Sequence, residues 1–257
     1  MKTVTYAIGD IHGRLDLLEE LLILVESDAR RREARALVVF TGDYVDRGGC
    51  SRGVVDRLMA GPSRADDRFL CLRGNHDDLF VRAATTGDGV PDWAWFLFRH
   101  TLRSYGDDAP GRDALRRHVR FLRDLPYTHD DGTHLFVHAG IRPGVPIADQ
   151  LPEELIWIRE PFLSFAGPLP RRVVHGHTIM GDRPVVTDNR ISIDTGAYRS
   201  GILTAAVLDG GDLAFLQTAG RPDEGAVRRE EELGLSIGRG FFEPELDRTP
   251  PLAAEMP

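Results

Sequence analysis

The chain has 257 residues, 42% hydrophobic and 28% charged, with a formal net charge of −8. A chain of this length buries roughly three-quarters of its unfolded surface as one large domain, so it needs neither a disulfide framework nor a structural metal. The charge argues against a protein that coats nucleic acid, and no apolar run reaches the ~20 residues of a bilayer span. Val4 to Ile8 reads as a strand and Leu15 to Val25 as a helix, because Leu15, Leu18, Leu22 and Val25 recur on one helical face. Leu37 to Phe40, the amphipathic Val54 to Met59, and Phe69 to Leu72 continue the alternation of strand and helix. Residues 87–124 hold an aromatic helix-like run followed by an arginine-rich one, read as a helical cap or insertion. Trp93, Trp95, Phe96 and Phe98 are expected to serve packing there rather than to form a stacking platform. Leu135 to Val137, Val173 to Val174, Pro184 to Val186, Ile191 to Ile193, Ile202 to Leu208 and Leu213 to Leu216 are short runs joined by Gly, Asp and Asn turns, so the second half is expected to be mostly sheet.

Residues 1–218 are expected to form the domain and 219–257 a loosely attached tail rich in proline, with nine acidic residues against five arginines. Within that tail Val227 to Ile237 and the pair Phe241 and Phe242 could dock back on the body. The two cysteines, Cys50 and Cys71, belong to no CxxC pair and fit a reducing compartment. Met1 to Val4 leads into a strand without a secretory leader, so a cytoplasmic location without membrane attachment is expected. The sequence leaves the oligomeric state open. All but one of the 32 basic residues are arginine, which reads as compositional bias apart from the few positions argued below.

Five short segments concentrate Asp, His and Asn beside glycine, and nearly all follow a strand-like run: Gly9-Asp10-Ile11-His12-Gly13, Gly42-Asp43-Tyr44-Val45-Asp46-Arg47-Gly48, Arg73-Gly74-Asn75-His76-Asp77, Val137-His138-Ala139-Gly140 and His175-Gly176-His177-Thr178. Residues just past the C-terminal ends of strands in an open sheet converge on one site. Carboxylate, imidazole and amide oxygen together suit divalent ions of the borderline class. A lone histidine is more often a packing residue, but five in one recurring setting point to metal. His100, His118, His129 and His134 lie outside these segments and read as surface or packing residues.

These five motifs, in this order, resemble the calcineurin-like metallophosphoesterases, and within them the phosphoprotein phosphatase branch with its bacterial and bacteriophage members. The resemblance runs from Ile8 to about Gly201. It implies an α/β fold, a four-layer α-β-β-α sandwich of two mixed sheets with a dimetal site at the strand C-terminal ends. One divalent ion would take Asp10, His12 and Asp43, and the other Asp43, Asn75, His138 and His177, with Asp43 bridging. Manganese is the first expectation, with iron, zinc, nickel or cobalt as alternatives. Such a pair lowers the pKa of a bridging water for direct in-line attack on phosphorus, without a covalent intermediate.

By motif position Arg47, Arg73 and Arg159 would bind the substrate phosphate, whose oxygens suit arginine's planar fork. Arg142 is a weaker candidate, expected to be structural. His76, held and charged by Asp46, would protonate the leaving group, since an imidazole beside a carboxylate keeps its proton to higher pH. His175 is expected behind the ligands rather than among them. The expected substrate is a phosphorylated protein or peptide, at Ser/Thr, Tyr or both. Asp77 departs from the Glu usual in eukaryotic members and is shared with symmetrical diadenosine tetraphosphate hydrolases, which gives the alternative of a dinucleoside polyphosphate hydrolase. A silent metal-binding scaffold is the third reading, opposed by the complete ligand set.

Overall fold

The computed structural model describes residues 1–220; the expectations for the tail beyond Gly220 lie outside the described residues. In chain order the elements are β1 Lys2–Ile8, α1 Leu15–Arg31, β2 Ala34–Phe40, α2 Ser51–Ala60, β3 Arg68–Cys71, α3 Asn75–Thr85, α4 Asp92–Tyr105 and α5 Ala109–Arg123. There follow β4 Thr128–Asp130, β5 His134–Val137, α6 Pro152–Trp157, β6 Arg172–His175, β7 Val185–Val186, β8 Arg190–Ser192, α7 Ala197–Ser200, β9 Thr204–Asp209 and β10 Asp212–Gln217. No helix among the described residues is long and apolar enough to cross a membrane.

Two mixed five-stranded sheets form, ordered β10-β9-β1-β2-β3 and β4-β5-β6-β8-β7. In the first, β1, β2 and β3 run parallel, with Lys2 opposite Ala34 and Ile8 opposite Phe40. In the second, β5, β6 and β8 run parallel. The last two strands return to the first sheet, where β9 pairs antiparallel with β1. They cover an edge of β1 that would otherwise expose its backbone.

Period-two alternation assigns the faces. Val4, Tyr6 and Ile8 point outward into one cluster with Leu17, Leu18 and Leu21 of α1. Ala7, Val39, Phe136, Val174, Ile191 and Ala206 fill the layer between the sheets. Leu135, Val137 and Val173 face the far side, under Leu155 of α6 and Phe162. The expected four layers are therefore present, the last of them thin and built from α6 and irregular chain. Residues 87–124 supply α4 and α5, whose Phe98, Tyr105, Ala114 and Leu122 join the same outer cluster as α1 and α2.

Four elements, α3, β4, α6 and α7, escape the sequence patterns. α3 starts inside the motif at Asn75, so its polar first turn reads as a loop, and β4 is a three-residue edge strand. The second half also holds the short helices α6 and α7 between its strands.

Candidate active site

The six parallel strands end at one place, and each delivers a polar side chain to it. After β1 come Asp10 and His12, after β2 Asp43, after β3 Asn75 and His76, after β5 His138, after β6 His177 and after β8 Asp194. The turns are sharp enough to strain the backbone. Six non-glycine residues among those described have positive φ, and five of them are His12, Asp43, Asp46, Arg47 and His177. Strain of this kind persists only where surrounding structure enforces it. A Cβ on Gly74 would lie 2.1 Å from Asp43 Oδ1, and one on Gly176 would lie 2.0 Å from Asp10 Oδ1. Both glycines are there so that backbone can approach a carboxylate.

Asp43 is the centre of the arrangement. Its Oδ1 accepts from the backbone N–H of His76 at 2.9 Å, in the first turn of α3. Its own N–H donates to Asp77 Oδ2 at 2.8 Å, while Asp77 also accepts from Tyr44 at 3.0 Å and Gly74 at 3.0 Å. Asp77 thus ties the loop after β2 to the loop after β3. Ligand atoms of His12, Asp43 and His76 fall within 4.8 Å of one another, and so do those of Asp10, Asp43 and His138, which puts Asp43 in both groups.

The protonation pattern tests whether a metal fits. His12 Nδ1 lies 2.8 Å from the carbonyl of Val45 and His138 Nδ1 lies 3.0 Å from the carbonyl of Thr41, so in each neutral ring the proton belongs on Nδ1. That leaves Nε2 a lone pair. His12 Nε2 then faces Asp43 Oδ2 at 3.4 Å, and His138 Nε2 faces Asn75 Oδ1 at 2.7 Å and Asp43 Oδ1 at 3.5 Å. Acceptors converge on acceptors, an arrangement that a cation relieves. His177 adds a buried Nε2 with no hydrogen-bond partner. Burial, then the charges of Asp194 and Asp43, pushes the Asp10 carboxyl well above its ordinary range, and burial does the same to Asp43. Burial lowers His12 and His177, and takes His138 down to about 4. Crowded carboxylates with neutral imidazoles are a donor set for divalent metal.

Beside this cluster His76 Nδ1 lies 2.7 Å from Asp46 Oδ2. Its ring stands edge-on to His12 with centroids 4.7 Å apart. The sequence suggested that Asp46 would hold the imidazole charged. Here burial comes first, and together with Arg47 and His138 it lowers His76, while burial raises Asp46 to about 7. Desolvation thus works against the charged pair that the sequence suggested.

The arginines divide. Arg47 stacks its guanidinium 4.4 Å over the ring of Tyr198, which itself stands edge-on to His12. Arg159 is depressed by burial and then by the charge of Arg47, so both cations belong to the site. Arg73 does not, in a correction to its assignment as a phosphate ligand. Its Nε donates to the Leu122 carbonyl at 3.1 Å, its Nη2 to the Arg123 carbonyl at 2.6 Å, and its Nη1 to Tyr127 Oη at 3.0 Å and Asp78 Oδ1 at 3.2 Å. Those carbonyls end α5, where orphan acceptors draw a cation. Arg142 pairs with Glu154 at 2.6 Å and shares two hydrogen bonds with Gln150, bracing a loop. His175 has both nitrogens engaged, Nδ1 with the Gly176 carbonyl at 3.0 Å and Nε2 with Ser192 Oγ at 2.8 Å, so it stands behind the ligands.

Asp194 is a site residue that the motifs missed. It is buried, its charge helps to push the Asp10 carboxyl up, and it accepts from Gly196 N at 2.9 Å. Ile193-Asp194-Thr195-Gly196 has the same strand, acid and glycine pattern as the other segments, and that signal could have found it. Thr101 of α4 was missed as well; its hydroxyl holds Asp46. Two tryptophans also border the site. Trp157 stands 6.1 Å from His177, and Trp93, read from sequence as a packing residue, stands 6.5 Å from His76. Cys71 is packed away from the chemistry, its thiol pushed up to about 12 by burial.

Comparison with known proteins agrees with this geometry. The model of the calcineurin-like phosphoesterase family matches residues 4–200. A symmetrical bis(5'-nucleosyl)-tetraphosphatase of Methylococcus capsulatus is 35% identical over 140 residues, 54% of this chain and 43% of the relative, so the match spans less than half of that protein. Serine/threonine-protein phosphatase 2 of Escherichia coli is 28% identical over 220 residues, 77% of this chain and 90% of that one. A solved structure described as that of a candidate diadenosine tetraphosphatase superposes with a TM-score of 0.63 at 22% identity, covering 84% of this chain and 96% of the other, a likeness of fold.

Proposed function

Because this chain belongs to the calcineurin-like phosphoesterase family, we propose that it is a dimetal phosphomonoesterase acting on phosphorylated proteins or peptides, at serine, threonine or tyrosine. The observation that carries the choice of substrate is the His76 and Asp46 pair at 2.7 Å, beside the shared carboxylate Asp43. Protonation of the leaving oxygen is needed most when that oxygen would otherwise leave as an alkoxide. A phosphate leaving group, as in a dinucleoside polyphosphate, needs it least.

Asp10, His12, Asp43, Asn75, His138 and His177 would hold the ions. Two divalent cations bound there supply Lewis acidity to the phosphoryl group and acidify water. The mixed N and O donor set favours manganese, iron, zinc, nickel or cobalt over calcium. The protein's own groups do the rest. Arg47 and Arg159 fork onto the non-bridging phosphate oxygens and carry their charge through the transition state. His76 gives a proton to the leaving oxygen from Nε2, while Asp46 fixes the ring through Nδ1. Asp77 and the first turn of α3 hold Asp43 in its strained turn, so the site is preorganised before substrate arrives.

A second reading has its own support. The match to the symmetrical tetraphosphatase and the presence of Asp77 favour a dinucleoside polyphosphate hydrolase. The deciding measurement is kcat/KM, with each of the five metals, on phosphoserine, phosphothreonine and phosphotyrosine peptides and on diadenosine tetraphosphate. Preference for any of the peptides is expected. A hundredfold preference for the dinucleotide would replace the first reading with the second.

A further inference from the structure

The inward stripe of α4 is Ala94, Phe98, Thr101 and Tyr105, one residue per turn. Trp93 is off that stripe and 44% exposed, so packing does not account for its ring. The ring stands partly exposed beside His76. Its centroid is 6.5 Å from His76 and 6.4 Å from Trp157, with interplanar angles of 63° and 82°. Trp157 in turn meets His177 edge-on, at 6.1 Å and 84°. Two indoles thus make a near-perpendicular corner that runs from the proton donor to a ligand of the metal.

We propose that the Trp93 and Trp157 corner is a subsite for an aryl leaving group, so that the enzyme selects phosphotyrosine over phosphoserine and phosphothreonine. The inference rests on the phosphomonoesterase reading and names its substrate class. The leaving oxygen must come within hydrogen-bond reach of His76. In an aryl ester the ring is bonded directly to that oxygen and enters the corner, face to one indole and edge to the other. A serine ester offers one methylene there. In a dinucleotide the base is separated from the leaving oxygen by a ribose and further phosphate, and it overshoots the corner. The chemistry balances simply: the oxygen of water bonds to phosphorus as the aryl P–O bond breaks, the phenolate takes the proton of His76, and the proton left by water restores the imidazole. The products are tyrosine and inorganic phosphate.

The test uses the metal-loaded full chain with W93A, W93F and, as an exposed aromatic on the same helix, W95A. The ratio of kcat/KM for a phosphotyrosine peptide to that for the phosphoserine peptide of the same sequence should favour tyrosine in the wild type. It should fall about tenfold in W93A, recover largely in W93F and stay unchanged in W95A. Binding is read separately with two ligands that the enzyme cannot hydrolyse, phenylphosphonate and methylphosphonate. The wild type should bind the phenyl compound about tenfold more tightly, and W93A should erase the difference. Equal losses on both peptides, or no phenyl preference, would overturn the subsite while leaving the phosphatase reading intact. An enzyme inactive on every monoester would overturn that reading, and the phosphonate ratio would still decide the subsite. A W93A defect confined to diadenosine tetraphosphate would overturn the proposal in favour of base stacking.

Discussion

The hydroxyl of Thr101 donates to Asp46 Oδ1 at 2.6 Å and accepts from the Asp46 backbone N–H at 2.9 Å. A residue in the middle of α4 therefore fixes the carboxylate that orients His76. Thr101→Val should leave both Asp46 groups unsatisfied, cost about 1–3 kcal/mol of stability and lower kcat on alkyl phosphates about tenfold. His76→Asn should cost on the order of 10² to 10⁴ on the same esters. It should cost less on nitrophenyl phosphate, whose leaving group needs no proton. Equal losses on the two ester classes would remove His76 from proton transfer.

Metal binding separates the two buried aspartates. Asp43→Asn should abolish activity and weaken both ions, because the shared carboxylate would lose its charge. Asp194→Asn should keep the fold but weaken metal binding about 10- to 100-fold, since the buried Asp194 charge acts on the Asp10 carboxyl. Titration calorimetry with manganese, and activity regained on adding manganese after chelator treatment, provide the readings. Unchanged affinity in D194N would limit that residue to shaping its own turn.

Arg73 and Arg47 should behave oppositely. Arg73→Ala removes donors to the end of α5 and to Asp78, and should lower stability by about 3 kcal/mol with little change in KM. Arg47→Ala should raise KM or lower kcat at least tenfold with a small change in melting temperature. Urea unfolding and steady-state kinetics on both variants check the assignment. A large KM effect in R73A would return Arg73 to the phosphate.

Asp28 predicts an acid-sensitive anchor remote from the site. It accepts from Tyr6 Oη at 2.8 Å and Arg32 Nε at 2.6 Å, joining the end of α1 to β1. Burial would raise its carboxyl, but the bonds from Arg32 and Tyr6 outweigh that and hold it below the ordinary value. A depressed folded pKa contributes stability that is complete above the unfolded value of about 3.9 and is lost as pH falls through the folded one. Asp28→Asn should therefore destabilise by about 1–3 kcal/mol at pH 7 and equally at pH 5. The gap to wild type should close only below about pH 4, as read by urea midpoints across that range.

What the sequence revealed follows from where the information is stored. The candidate ligands were legible because Asp10, Asp43, Asn75, His138 and His177 each lie within a few residues of a strand end, so local pattern and spatial position coincide. Arg73 was not, because the direction of its long side chain is decided by carbonyls at Leu122 and Arg123, about fifty residues away. The same holds for Thr101, whose partner Asp46 lies 55 positions earlier. The place of Trp93 was not legible because an aromatic run fits helical packing at several phases, and only the Ala94, Phe98, Thr101 and Tyr105 stripe shows which phase the fold uses. Asp194 carried its signal openly, but the short Ile191 to Ile193 run before it gave no other reason to look.

Asp10 and Asp194, both buried and close enough for the charge of one to act on the other, bring the first strand crossover together with nearly the last. The candidate ligands run from Asp10 to His177, and Asp194 follows β8, so no shorter piece of the chain holds the whole set. Catalytic competence would then coincide with completed folding. A chain interrupted anywhere between the two aspartates would be silent rather than partly active, and cations bound at the meeting of the two sheets would rivet them together as well as serve the reaction.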